Sequence, residues 1–122
     1  MDTTDPLDAL RTVLDAWKEA VDGHRPEAAA ALFTEDAIFQ GLHPYTTGRP
    51  GIAAYYDAQP AGLTADYRVL ETRRPTADLV LGYLAVDFAF TDRPTLHVNL
   101  SVLLHHTDQG WAIAHYQVSL LP

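Results

Sequence analysis

Apolar residues recur along this chain with two different periods, and the change from one to the other divides it. Leu7, Leu10, Leu14, Trp17 and Val21 follow one another at intervals of three or four, which places them on one stripe of an amphipathic helix. Asp5-Pro6 supplies an N-cap and a first helical residue, and Gly23 supplies the stop. Pro26 opens a second, short helix, in which the alanines from Ala28 to Ala31 let the backbone lie close to a neighbour before Leu32 and Phe33. The two helices are expected to form a hairpin. Thr34-Glu35-Asp36 then breaks the pattern, Ala37–Gln40 reads as a short strand, and Gly41–Gly48 reads as a loop holding His43, Pro44 and Tyr45. Pro50 opens a third helix carrying Ile52, Tyr55 and Tyr56, which ends near Pro60.

From Asp66 onward the period is two, and turn signals at Arg74-Pro75-Thr76, Thr91-Asp92-Arg93-Pro94 and Thr107-Asp108-Gln109-Gly110 cut the remainder into four strands. Val80, Leu84, Val86, Phe88 and Phe90 form one apolar row, and Leu96, Val98, Leu100, Val102 and Leu104 form the next. In the last strand Ala112, Ala114, Tyr116, Val118 and Leu120 oppose Trp111, Ile113, His115, Gln117 and Ser119. Matching faces across the final hairpin requires paired positions to sum to an even number. Of the two even sums, 216 and 218, the second is favoured because it leaves a three-residue loop, Asp108-Gln109-Gly110, with glycine where a left-handed residue is needed. The expectation is an α+β domain over 1–122 in which three N-terminal helices pack on a strongly curved, mainly antiparallel sheet. The sheet comprises the short first strand and a four-strand meander. Its second face mixes Tyr83, Leu103, Trp111 and Ile113 with Asp87, His97, Asn99, Ser101, His115, Gln117 and Ser119. A mixture of that kind suits a subunit interface, so a homodimer is expected.

Composition narrows the functional classes. Sixteen acids against eight bases give the 122-residue chain a formal charge of −8, and the bases do not cluster, so neither nucleic acid nor an anionic membrane is an expected partner. Without cysteine there is no disulfide, thiolate nucleophile or zinc-finger site, which leaves histidine and carboxylates as the available metal ligands. Met1-Asp2-Thr3-Thr4-Asp5 is acidic where a signal peptide is basic, and the longest apolar run, Ala28–Phe33, is only six residues. A soluble, cytoplasmic location is the resulting expectation.

The order helix, helix, short strand, helix, four strands resembles the nuclear transport factor 2-like superfamily of cone-shaped α+β barrels over nearly the whole chain. Three stretches sharpen the resemblance: Phe33-Thr34-Glu35-Asp36-Ala37, Thr47-Gly48-Arg49-Pro50-Gly51-Ile52, and Gly110–Ser119 at the end. The last is similar to the Gly-x-Trp-x-Ile-x-His-x-His-x-Ser strand of the SnoaL-like and SgcJ/EcaC groups and of the kinase II association domain, with Gln117 in place of the second histidine. The resemblance implies a sheet-mediated dimer and a pocket in the concave side of the cone. It also allows Δ5-3-ketosteroid isomerase chemistry to be tested by position. The helix tyrosine of that enzyme falls at Trp17, and its two strand carboxylates fall at about Gly41 and Val102. Neither glycine nor valine abstracts a proton, so that chemistry is rejected. The basic residues of the kinase hub pocket fall at Val102 and Val118, so a carboxylate ligand of that type is not expected either.

On this frame the expected ligand pocket is bounded by Trp17, Phe39, Tyr55, Tyr56, Phe88, Val102 and Tyr116, with His43 and Tyr45 at its mouth. The competing reading is that these aromatics simply fill the core. His43 is the one weak candidate for a general base, against the plainer reading of an exposed loop histidine; the catalytic residues are otherwise unknown. The expected dimer face is Tyr83, Asp87, His97, Asn99, Ser101, Trp111, His115, Gln117 and Ser119. Asp87 requires a histidine or tyrosine partner there. Ser101 or Ser119 with His115 and Asp87 superficially resembles a nucleophile–base–orienter set, but a flat sheet rarely supplies an oxyanion hole, and a hydrogen-bond network is the better reading. His105 and His106 are adjacent in a strand and point to opposite faces, so no metal site is expected. Tyr67, Arg68, Arg73 and Arg74 read as a solvated strand end, and no cofactor is expected. The leading function is a small, mostly apolar ligand bound in the cone of a homodimer. The alternative is a non-enzymatic association module that acts through the sheet-face dimer.

Overall fold

In the computed structural model, which describes residues 5–121, the first apolar stripe folds as α1 (Pro6–Asp22). Asp5 caps it, its Oδ1 accepting from the Leu7 N–H at 2.8 Å, and Gly23 terminates it. The rest of the acidic start, residues 1–4, lies outside the described residues. Leu10, Leu14 and Trp17 of the stripe are fully buried. α2 (Pro26–Ala30) buries Ala29 and Ala30 and packs on both α1 and α3 (Gly48–Asp57). The first two helices are thus neighbours, as their alanine content implied.

Six strands follow the predicted period with three departures. β1 (Phe33–Gln40) starts four residues before the predicted Ala37, because it pairs parallel with β6 (Gly110–Leu120) from Phe33↔Ile113 to Gln40↔Gln117. A two-residue strand, β2 (Thr46–Thr47), interrupts the expected loop and pairs antiparallel with β1. Two residues carry no readable period. β3 (Thr64–Thr76), β4 (Leu79–Ala89) and β5 (Leu96–Thr107) complete an antiparallel meander with β6. The order is β2-β1-β6-β5-β4-β3, so β2 and β3 are edges and the sheet stays open instead of closing into the expected cone-shaped barrel.

The third departure concerns register. From Val98↔Leu120 to Leu103↔His115 the final hairpin pairs at the predicted sum. A shift between Leu103 and Leu104 then brings Leu104 opposite Ile113 and Thr107 opposite Gly110, so the connection is the two-residue Asp108-Gln109. Gly110, at φ 107°, takes the positive dihedral expected of it, but within the strand. The extra residue is Ala114, a β-bulge that reverses side-chain parity beyond it. Ile113 therefore enters the core, fully buried, and Trp111 leaves the face of His115 and packs beside His106 with ring centroids 5.0 Å apart. Both had been expected on the outer face.

The inner face of β4 and β5 follows the predicted rows: Val80, Leu84, Val86, Val98, Leu100, Val102 and Leu104 are all buried. α1 crosses this face and is latched to the start of β3 by charge. Lys18 Nζ donates to Ala65 O at 2.6 Å and to Asp22 and Asp66 at 2.9 Å each, while Asp22 Oδ1 accepts from the Ala65 N–H at 2.8 Å. The two carboxylates raise the Lys18 pKa and keep it charged. The latch also satisfies the backbone of the edge residue Ala65.

Gly82 fixes how closely α1 approaches. A Cβ there would stand 2.6 Å from Leu10 Cδ2, and Leu10 is fully buried with no room to retreat. Gly82→Val is expected to lower unfolding free energy by about 1–3 kcal/mol, read from urea denaturation. An unchanged midpoint would mean that α1 does not press on β4 at that point.

Candidate functional site

Seven aromatic side chains meet where α1, α3 and the inner sheet face converge. Phe39 and Tyr116 stack at 4.4 Å between centroids and 10° between planes across the parallel β1/β6 pair. Tyr55 and Tyr56 of α3 reach Phe39 at 4.7 and 5.5 Å. Trp17 meets Phe88 edge-on at 6.1 Å and Tyr116 at 6.2 Å, and Phe33 closes the base of the cluster 5.7 Å from Phe39. Consecutive residues Tyr55 and Tyr56 both join because α3 lies tangentially on the cluster, with its ring planes at 88°.

The polar tips of this cluster lie together. Trp17 Nε1 donates to Tyr56 Oη at 2.8 Å, and the Tyr116 phenol stands near that of Tyr56. Burial pushes the Tyr56 and Tyr116 phenols well above their ordinary pKa, and it raises Tyr55 as well, against the opposing effect of the Leu42 N–H. All three therefore act as neutral hydroxyls.

A cavity of about 40 Å³ remains beside them, lined at its base by Tyr55, Tyr56 and Tyr116 and toward its mouth by Leu42, Gln59, Leu63, Phe90, Leu96 and Val118, with Phe88 between. That volume compares with about 30 Å³ for one water in the liquid. The aromatic cluster itself occupies the deep cone. Of the residues expected to form the pocket, Tyr55, Tyr56, Phe88 and Tyr116 reach the cavity. Trp17, Phe39 and Val102 are buried behind it. His43 is exposed, 6.2 Å from the Tyr55 ring, and Tyr45 is 66% exposed, so the structure places both outside the cavity. Leu96 and Val118 belong to rows legible in the sequence, whereas Gln59 and Leu63 lie in or beside the helix-to-strand passage, where no period exists to place them.

The absence of a carboxylate at Gly41 has a steric cause here. A Cβ on Gly41 would come within 2.5 Å of Tyr55 Oη, so the tyrosine occupies the space that a side chain at 41 would need. Val102 is fully buried. Neither position presents a base.

The outer sheet face brings together eight of the nine residues expected there. Asp87 is paired by the His97 Nδ1, as a carboxylate on that face requires, and Asn99 Nδ2 donates to Tyr83 Oη at 3.0 Å. Ser101 stands opposite both Tyr83 and Gln117, and Ser119 stands opposite Asn99. His115 stands opposite Leu103, away from Asp87, so no Ser-His-Asp set assembles. Trp111 is excluded from the face by the Ala114 bulge. Along β3, Arg73 pairs with Glu71 at 3.0 Å and Tyr67 donates to Asp15. Arg74 departs from the solvated reading: it is half-buried, with its guanidinium 6.0 Å from the Trp111 ring.

Helices stacked on the inner face of an open, bulged sheet, closing over an aromatic cone, define the nuclear transport factor 2-like, cystatin-like class of α+β proteins. Within that class the chain belongs to the SnoaL-like domain family, whose profile matches residues 3–120. Solved structures agree on the fold. A cystatin-like domain of unknown function from Nostoc punctiforme is 22% identical, with TM-score 0.85 over 99% of this chain and 80% of its own. A ketosteroid isomerase-like protein from Erwinia carotovora is 20% identical, with TM-score 0.82 over 98% of each chain. A nuclear transport factor 2-like protein of unknown function from Shewanella oneidensis is 16% identical, with TM-score 0.80 over 94% of this chain and 99% of its own. No curated protein matches the sequence.

Because the folded state holds the phenols of Tyr55, Tyr56 and Tyr116 above the unfolded value of 10.0, their contribution to stability is complete below that pH and is lost as pH rises past it. Chemical-denaturation midpoints are expected to fall from about pH 10 upward. The fall should shrink in Tyr56→Phe, which also destabilises the protein at pH 7 by about 1–3 kcal/mol because the Trp17 N–H is left without an acceptor. A Tyr56→Phe protein as stable as wild type at pH 7 would contradict the assigned hydrogen bond.

Proposed function

We propose that the protein binds a small, mostly apolar molecule at the mouth of its cone, and that it does so as a homodimer paired through the outer sheet face. The observation that carries the first part is the chemistry of the mouth. Leu42, Leu63, Phe90, Leu96 and Val118 surround a recess whose base is three phenols, an apolar wall with a few convergent polar groups. The deep cone is filled, so the bulk of the ligand rests on the rim and only its tip enters. A whole drug-sized molecule takes about 300–1,000 Å³. No reaction is assigned. The positions that would carry proton abstraction are Gly41 and Val102, and the His43 imidazole stands outside the recess.

The homodimer is supported by exposed apolar groups on an otherwise polar face. Tyr83 is 39% exposed and Ile38, in line with His115 on β1, is 45% exposed, with half-buried Leu81 and Leu103 between them. The same observation favours the second reading, an association module whose role is the dimer itself.

Two variants separate these readings. The neutral fluorophore N-phenyl-1-naphthylamine is expected to bind the wild type saturably and to lose at least about tenfold in affinity in Leu96→Asp, since a carboxylate on the rim is disfavoured beside an apolar ligand. Tyr83→Asp is expected to halve the mass seen by sedimentation equilibrium while leaving fluorophore binding intact. Equal binding by wild type and Leu96→Asp would overturn the ligand reading, and a monomeric wild type would overturn the dimer.

A further inference from the structure

At the base of the recess the Trp17 indole hydrogen and the phenol hydrogens of Tyr56 and Tyr116 share only two oxygens between them, those of the two phenols. Trp17 Nε1 can only donate, and it uses one lone pair of Tyr56 Oη at 2.8 Å. Tyr56 and Tyr116 each carry one further hydrogen, and even a bond between the two phenols would consume only one of them. Among the described residues neither phenol has another hydrogen-bonding partner, and the nearby Gln59 amide is turned to the Tyr55 carbonyl at 3.4 Å. One phenolic O–H is therefore surplus, and both phenols line the recess while Trp17 does not. A donor left without an acceptor is costly, and the recess is the space that borders both phenols.

We propose that the recess selects ligands that direct a carbonyl oxygen at the Tyr56–Tyr116 phenol pair, with the apolar body of the ligand lying on Leu96, Phe90 and Leu63. This inference rests on the cone-mouth reading above and adds a polarity to it: the site offers a donor and takes an acceptor. A cavity of about 40 Å³ admits one carbonyl group and excludes a ring, which keeps the oxygen at the tip. A carboxylate is a poor occupant, because the two phenols are neutral in an apolar surround and no cationic side chain lines the recess to balance a charge. Burial keeps both phenols protonated, so the donor persists across the physiological pH range.

The test compares acetophenone with its near-isostere α-methylstyrene, which carries a methylene where the ketone has oxygen. NMR titration of the wild-type protein is expected to show acetophenone binding about fivefold or more tighter. The infrared carbonyl stretch of bound acetophenone should move to lower frequency than in an alkane solvent. Tyr116→Phe leaves one donor still facing the recess, because Trp17 then bonds Tyr56 alone, so preference and infrared shift should both survive. The Tyr56→Phe, Tyr116→Phe double variant removes both phenols of the pair and should lose most of the preference and of the shift, whereas Tyr55→Phe, which removes the third phenol at the base, should keep both. Equal affinities for the two compounds in wild type, or a bound ketone with an unshifted stretch, would overturn the carbonyl inference while leaving the cone-mouth site standing. Binding of neither compound would overturn the site and the inference together.

Discussion

The structure depends on one buried hydrogen bond, from the indole of Trp17 to the hydroxyl of Tyr56. It joins α1 to α3 inside an apolar cluster where either group alone would be a liability, since an unpaired polar atom there carries the full cost of its lost hydration. Once the two helices are joined at that point, Tyr116 of β6 and Phe88 of β4 have fixed surfaces to pack against, and Phe39 stacks on Tyr116 across the only parallel strand pair described. The cluster thereby ties all three layers of contact to one another. It also explains why the cone is shallow: the side chains that hold the helices on the sheet are those that occupy its interior.

The same packing determines what chemistry is available. Gly41 gives its space to Tyr55, and Val102 is sealed beneath the inner face, so neither position presents a side chain that could take up a proton in the cone. The remaining polar groups at the recess are the phenols and the Gln59 amide, all uncharged. A site of that composition suits the neutral, hydrogen-bond-accepting ligand proposed above.

Much of this was legible in the sequence, for reasons that differ by element. The stripe from Leu7 to Val21 and its Asp5-Pro6 and Gly23 punctuation are local signals, and α1 follows them closely. Alternation on β4 and β5 gave the inner face because both strands are unbroken there, and the pairing at a sum of 218 holds as far as Leu103↔His115. The Ala114 bulge was not legible: an inserted residue leaves every neighbour's identity unchanged and alters only which way each points. Hence Ile113 and Trp111 were placed on the wrong face, although Asp87 did need a histidine or tyrosine partner and has His97. β2 and the early part of β1 depend on partners distant in sequence, and no short window contains them. The aromatic residues were recognised individually, but whether they line a space or fill it depends on how their rings interlock. Phe39 and Val102 fell behind the wall and Leu42 and Leu63 formed the rim for that reason.

The most direct measurement is a high-resolution crystal structure of protein purified from the cells that make it, read at the mouth of the cone. The account predicts a filled deep cone with Trp17 Nε1 on Tyr56 Oη, and ordered density from a bound molecule between Leu96 and the Tyr56–Tyr116 pair. An open cavity beside Trp17 and Phe39, or a mouth covered by the protein's own chain with no space left at the phenols, would contradict it.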